Sequence, residues 1–158
     1  MREIVKAIEA PFRQTWQLVN KYLDVCPDSV WESKNGGYPV WQQMLHAIWV
    51  LDFFICSEGE SQLLAPSYID TLLFKKQGEG LVSKKEVQEY AQKIIARVDS
   101  WIAKLTDEDL SRKNDSLSGK IGKEMTIAST LVAMTAHTQY HLGSCDSALR
   151  DNGIEGVY

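Results

Sequence analysis

The stretch from Pro39 to about Ser57 is apolar on almost every side of the helix it would form. A helix that lies at a protein surface keeps a polar stripe, whereas one that is apolar all round is covered on every side. The sequence therefore predicts a central helix that other parts of the chain must enclose. Its apolar residues are Trp41, Met44, Leu45, Ile48, Trp49, Leu51, Phe53, Phe54 and Ile55.

Three further segments repeat apolar residues with a helical period and would supply that cover. The first runs from about Pro11 to Val25, with Pro11 at a first helical position and a shorter amphipathic piece at residues 4–8 before it. The second opens on a Ser83–Glu86 capping box and continues to Leu105. The last runs from about Glu124 to Asp151. Four such helices indicate an all-α protein.

The segments between these helices carry turn and loop signals. Residues 35–37 (NGG) predict a turn, and residues 58–60 (EGE) end the second helix. Residues 61–82 predict a long connection with a short helix near residues 68–74, and residues 111–123 predict a polar loop with room for a short hairpin. One long crossover between helices is typical of some four-helix bundles, so we expect a single domain of that kind over residues 1–158.

Charge and cysteine content narrow the partners and the compartment. The formal net charge is −4, and the basic residues are scattered, so a nucleic-acid partner is not expected. The three cysteines form no CxxC pair, and the first six residues carry charges where a signal peptide would be apolar, which favours the cytoplasm. The apolar run at residues 47–56 is interrupted by Asp52 and is too short to span a bilayer, so no membrane association is expected.

The three histidines are the candidate functional residues. His137 and His141 are four residues apart in one predicted helix, so both rings project from the same face. His46 lies in the middle of the apolar second helix, where an unpaired polar ring costs about 1–3 kcal/mol. A shared metal ion would offset that cost, whereas the alternative is that each ring is a structural core residue.

Two familiar metal motifs are excluded. Residues 137–141 (HTQYH) have the spacing of a zinc-peptidase helix, but Thr138 stands where that motif needs a glutamate. A ferritin-like di-iron site needs a glutamate three residues before each histidine, and the residues there are Gln43, Met134 and Thr138.

The chain resembles the DinB-like superfamily in four places. Residues 38–46 (YPVWQQMLH) are similar to its second-helix signature, which ends on a histidine, and residues 136–143 (AHTQYHLG) are similar to its closing helical motif. Residues 81–87 (LVSKKEV) and 105–110 (LTDEDL) resemble the start and exit of its third helix. One departure is that Ser144 and then Cys145 follow the glycine, where the family often has glutamine.

The resemblance implies an up-down-down-up bundle with a long crossover, and a divalent-metal site made by His46, His137 and His141. Characterised relatives include S-transferases that use bacillithiol or mycothiol and a mycothiol-dependent maleylpyruvate isomerase; many members have no known reaction. It also implies homodimers, and the first and second helices are more apolar than a four-helix monomer needs, which favours the same expectation. Three neutral imidazoles leave open coordination positions, as in catalytic zinc sites. We therefore expect a divalent metal, zinc or nickel first, with a small-molecule thiol and an electrophile as substrates.

Two alternatives stay open at this point: a metal-binding or stress-associated protein without turnover, and a helical interaction module with structural histidines. Other residues are expected to be structural. Cys145 falls within the apolar arc of the last helix and is interpreted as a small core residue, although a ligand role stays open. Asp52 is expected to point away from the site, and Gln139 and Tyr140 to project away from the histidines. Core positions are expected for Trp16, Trp41, Trp49 and Trp101.

Overall fold

The computed structural model describes residues 1–57 and 68–158, and over these residues the protein is an all-α bundle. Its α-helices are α1 (Glu3–Val25), α2 (Asp28–Trp31), α3 (Val40–Ile55), α4 (Ile69–Leu72), α5 (Lys84–Ala103), α6 (Asp115–Ile121) and α7 (Ile127–Asp151). A 3-10 helix covers Asp107–Ser111. Two short strands, β1 (Lys34–Asn35) and β2 (Tyr38–Pro39), complete the described part.

Helix α3 forms the centre of the bundle, as its apolar sequence predicts. Every residue of it from Val40 to Asp52 is buried. It packs against α7 on one side and α5 on another, and α7 also packs along α1. The other long helices each bury one apolar face; for α1 that face contains Val5, Phe12, Trp16, Val19, Tyr22 and Leu23.

A short hairpin leads into α3. Strands β1 and β2 pair antiparallel, with Lys34 opposite Pro39 and Asn35 opposite Tyr38. The turn between them has φ angles of +60° at Gly36 and +92° at Gly37, which side-chain-bearing residues rarely adopt. The predicted turn at residues 35–37 is thus present, and it sets where α3 begins.

The first helix differs from the sequence prediction. Pro11 does not start it but lies inside a single helix that begins at Glu3, so the amphipathic piece and the main segment are continuous. A proline inside a helix removes one backbone hydrogen bond, usually at a cost of about 3 kcal/mol. The buried residues on both sides of Pro11, from Val5 to Leu23, hold the two halves in one line. The Asp107 carboxylate also accepts the first backbone N–H groups of the helix, at 3.0 Å from Glu3 and Ile4.

The predicted loop at residues 111–123 is wrong in part, because it contains helix α6. The Asn114 side chain accepts a hydrogen bond from the Leu117 backbone N–H, and Gly122 ends the helix at a φ of +66°. Leu117 is fully buried, so tertiary packing outweighs the polar composition of the segment. In place of the hairpin there is an isolated antiparallel bridge between Lys113 and Thr126.

The ends of the other helices follow capping residues. The predicted capping box of Ser83 and Glu86 is present at the start of α5. A second box, formed by Thr126 and Ser129, starts α7 at Ile127 rather than at Glu124. Helix α3 ends at Ile55, and the predicted stop at residues 58–60 lies outside the described residues. In the connection that follows, the short helix expected near residues 68–74 is α4.

Helix length and hydropathy bear on the membrane prediction. None of the helices in the described ranges is both long and apolar enough to cross a bilayer.

Candidate metal centre

The three histidines meet where α3 packs against α7. His46 comes from the middle of α3, and His137 and His141 come from successive turns of α7. The ring centroid of His46 lies 5.0 Å from that of His137 and 4.6 Å from that of His141. The ring centroids of His137 and His141 are 4.6 Å apart. One ligand atom from each ring lies within 4.8 Å of the other two. We call these three residues the histidine cluster; it has the geometry of a group that could hold a metal ion.

The tautomer of His46 follows from its hydrogen bond. Its Nδ1 contacts the backbone carbonyl of Leu72. A carbonyl only accepts, so the neutral ring carries its proton on Nδ1 and keeps the lone pair on Nε2. That Nε2 faces the other two histidines, at 3.1 Å from Nε2 of His137. In metal sites, a ligand histidine usually donates its second N–H to an outer partner in this way.

The separation of the two nitrogens fits a shared divalent cation. Imidazole nitrogens lie about 2.0–2.1 Å from zinc, so two of them at ligand angles between octahedral and tetrahedral are about 2.8–3.4 Å apart. The observed 3.1 Å between His46 and His137 falls inside that range. The cluster also leaves Nδ1 of His137 and Nδ1 of His141 buried without a hydrogen-bond partner among the described residues. Buried nitrogens usually find a partner, so the hydrogen bonding of these two rings is incomplete within the described part of the chain.

The environment keeps all three rings neutral at pH 7. Burial, with a smaller contribution from nearby His46, lowers the pKa of His137 to about 4. Burial and the other two rings lower the pKa of His141 to about 3. Burial also lowers the pKa of His46, against the opposing effect of its bond to Leu72. Neutral imidazoles are the form that binds metal, so the cluster needs no deprotonation before it acts as a ligand set.

Aromatic rings surround the cluster. The Phe74 ring lies 4.5 Å from the ring of His46 and 5.8 Å from that of His141. Phe54 lies 6.0 Å from His137, and Trp49 lies 6.2 Å from His46. Such walls limit water and provide an apolar surface beside the nitrogens. A ligand bound there would meet neutral rings on several sides.

The sequence did not reveal two of these neighbours. Leu72 and Phe74 belong to the connection between α3 and α5, and Leu72 lies 26 residues after His46 in the sequence. Leu72 acts through its backbone carbonyl, which no residue pattern marks. Phe74 is a non-glycine residue with a φ of +54°, and its carbonyl accepts a 2.6 Å hydrogen bond from the Tyr38 hydroxyl. Such conformations depend on tertiary contacts and leave no local signal.

The remaining candidates lie outside the cluster. Cys145 is fully buried, and burial raises the pKa of its thiol, as expected for a core residue. Asp52 points elsewhere and forms a 2.9 Å ion pair with Arg97. Tyr140 is 74% exposed, although the centroid of its ring lies 5.1 Å from that of His141. The predicted core tryptophans are buried at Trp16, Trp41 and Trp49, and Trp101 packs against the core while half-buried.

Comparison with known families gives a direct assignment. The sequence profile of the DinB superfamily matches residues 11–145, which is most of the chain and includes all three histidines. The chain belongs to the DinB superfamily. No curated protein matches the chain in a similarity search. Family membership therefore supports the all-α fold and places the three histidines within the matched region. The reaction has to be inferred from the site itself.

The departure from the DinB pattern at Ser144 has a structural role. The Ser144 hydroxyl donates a 2.8 Å hydrogen bond to the side-chain oxygen of Gln43 on α3. Its backbone carbonyl accepts a 2.5 Å bond from the Asn35 amide on β1. Ser144 thus ties α7 to α3 and to the hairpin, just after the second histidine of the pair.

Proposed function

We propose that this DinB protein is a divalent-metal-dependent S-transferase that joins a small-molecule thiol to an electrophile in the cytoplasm. The observation that carries the proposal is the convergence of three neutral imidazoles from two helices. A three-nitrogen donor set suits zinc and nickel and leaves coordination positions for substrate. Because none of the three ligands is charged, they would not offset the positive charge of the ion. Membership in a superfamily of metal-binding proteins supports the same choice.

The residues of the chain would divide the work in the following way. His46, His137 and His141 would hold the ion, which when bound would lower the pKa of a neighbouring thiol. The Leu72 carbonyl would keep the lone pair of His46 directed at the centre, and the rings of Phe74 and Phe54 would keep bulk water away. In the overall reaction, the thiol loses its proton to solvent, its sulfur forms a bond to the electrophilic carbon, and the leaving group departs with the bonding electron pair.

Elemental analysis and a transfer assay test this proposal. The protein should be purified without a histidine tag, and its zinc and nickel content measured beside that of His141→Ala. The wild type is then supplied with bacillithiol, mycothiol or glutathione and an aryl halide, and the thioether product is followed. Metal-dependent product formation that His141→Ala lacks is the expected result. Stoichiometric metal without product for any thiol would reject the transferase and favour a metal-binding protein without turnover.

The third reading, a helical interaction module with structural histidines, makes a different prediction. Structural rings would complete their hydrogen bonds with protein groups, and they would bind no zinc. The convergence of three imidazoles from two helices supports a metal site rather than three separate core residues. A protein that binds no metal and whose thermal melt does not change with chelator would support the helical interaction module.

A homodimer remains part of the proposal. The apolar character of the first and second helices also motivated it, and these helices, α1 and α3, bury most of their apolar residues within the bundle. The case for pairing therefore rests on the family resemblance. Light scattering at working concentration measures it directly, and a monomer mass would reject it.

A further inference from the structure

A segment of the long connection lies across α3 next to the histidine cluster. It consists of residues 69–78, which begin with α4, and we call it the strap. Thr71 and Leu72 of the strap are buried against α3. Leu72 carries the carbonyl that accepts the Nδ1–H of His46. The position of the strap thus decides whether that carbonyl is available to the ring.

One side chain of α3 holds both ends of the strap. Gln42 is fully buried, and its amide nitrogen donates hydrogen bonds of 2.7 Å to the Thr71 carbonyl and 3.0 Å to the Lys76 carbonyl. Its amide oxygen accepts a 2.8 Å bond from the Gly78 backbone N–H. Gln42 precedes His46 by four residues, so the two side chains leave α3 on the same face, one turn apart.

Close packing fixes the far end of the strap. A Cβ at Gly78 would lie 2.1 Å and 2.7 Å from two ring carbons of Trp41, and 3.0 Å from the Thr71 side chain. Trp41 is itself buried, so an added Cβ would have to displace atoms packed in the core. Gly78 therefore sits directly on the α3 surface, which brings its N–H within reach of Gln42.

We infer that Gln42 is a positioning residue for the metal centre: it seats the strap so that the Leu72 carbonyl holds His46 in the tautomer whose Nε2 lone pair faces His137 and His141. This inference rests on the proposed metal-binding function. The hydrogen bonds of Gln42 described here all go to the strap, so it acts through the backbone of the strap. Outer partners of ligand histidines typically change metal affinity about 10- to 100-fold when they are lost.

The neighbouring residue provides a matched control. Gln43 is also a buried glutamine of α3, and its amide nitrogen donates to the carbonyls of Asn35 at 2.6 Å and Tyr38 at 3.2 Å. Its oxygen accepts from Ser144. Gln42→Met and Gln43→Met each remove three hydrogen bonds of one buried amide while keeping side-chain length. Only the first removes bonds to the strap.

The experiment compares the two variants with the wild type by two measurements. Long-range proton–nitrogen NMR of the metal-free proteins at pH 7.5 shows which ring nitrogen of each histidine carries the proton, and the chain has only three histidines to assign. Titration with zinc ions alone gives the dissociation constant. We expect His46 protonated on Nδ1 in the wild type and in Gln43→Met, with similar zinc affinity. In Gln42→Met we expect the Nε2-protonated form to appear and zinc to bind about 10- to 100-fold more weakly.

Two results would overturn the inference: an unchanged His46 tautomer and zinc affinity in Gln42→Met, or a wild-type His46 protonated on Nε2. If Gln42→Met does not fold, Gly78→Ala displaces the same end of the strap from outside α3 and is judged by the same two measurements. Failure of the proposed function is distinguishable, since a wild type that binds no zinc rejects the metal centre while the metal-free NMR comparison still decides the role of Gln42.

Discussion

Helix α3 buries two titratable side chains, Asp52 and His46, whose partners differ. Asp52 is fully buried, and it pairs with Arg97, whose positive charge compensates its own. His46, six residues earlier, faces two further histidines that offer it no opposite charge. The pair of Asp52 and Arg97 joins α3 to α5 and needs no ligand. The histidine cluster joins α3 to α7 and keeps buried nitrogens without partners in the described part of the chain.

Helix α7 repeats this contrast. His141 belongs to the cluster, whereas Asp146, one turn or so further along, is buried and accepts hydrogen bonds from the Val157 N–H at 2.5 Å and from Arg150 at 2.9 Å. Buried groups that serve the fold have found complementary partners within the chain. Several titratable side chains that converge at one point and have perturbed pKa values are typical of a ligand-binding or catalytic site.

The largest effect is expected from removal of one ligand. His137→Ala should weaken zinc binding by more than about 100-fold, because loss of an outer partner alone already costs about 10- to 100-fold. The variant should still unfold cooperatively, since a core of this size does not depend on one ring. Zinc titration and circular dichroism measure the two quantities. Gln139→Ala, on the exposed side of the same helix, is the control and should bind zinc as the wild type does.

The Asp52–Arg97 pair should show the reverse pattern. Arg97→Ala removes the cation that pairs with the buried Asp52 carboxylate, and breaking a buried pair this way costs about 3–5 kcal/mol. Denaturant unfolding of the metal-free protein should show that loss, and zinc affinity of the folded protein should stay the same. Adding Asp52→Asn should recover part of the stability, because the buried negative charge at position 52 is then removed. A loss below about 1 kcal/mol in Arg97→Ala would contradict the contrast drawn between the two groups.

The pH dependence of stability should distinguish the histidine cluster from ordinary surface histidines. The unfolded chain binds protons at these rings near pH 6.5, whereas folded His137 and His141 do so only near pH 4 and pH 3. A group with a lowered pKa in the folded state penalises folding wherever only the unfolded form is protonated. The free energy of unfolding of the metal-free protein should therefore fall as the pH drops from about 6.5 to about 4.

Denaturant melts at several pH values measure this fall, and His141→Phe should make it shallower by removing one titrating ring. Because the folded rings stay neutral at lower pH, zinc binding to the folded protein should persist below pH 6.5. Release of zinc close to pH 6.5 would mean that the rings are solvated and that burial does not control their protonation.

The sequence predicted the parts of this structure that local pattern encodes. Helical period located α3, and the four-residue spacing of His137 and His141 placed both rings on one face. Pattern alone did not distinguish a starting proline from an interior one at Pro11, because that depends on what the preceding turn packs against. It also did not reveal that the Leu72 carbonyl reaches His46, since a backbone group from a distant connection carries no residue signature.

The smallest effect is expected from removing the metal. A ligand that binds only the folded state stabilises it by mass action, about 1.4 kcal/mol at ten times its dissociation constant. For a domain of this size that amounts to a melting temperature about 3–6 °C lower after chelation. The measurement is a thermal melt by circular dichroism with and without chelator, with His137→Ala as the control that should not respond. Unfolding of the wild type by chelator at room temperature would make the metal a structural requirement and remove the main support for catalysis. If chelator leaves the melt unchanged and the protein contains no metal, the histidine cluster is a structural group, as the Asp52–Arg97 pair is.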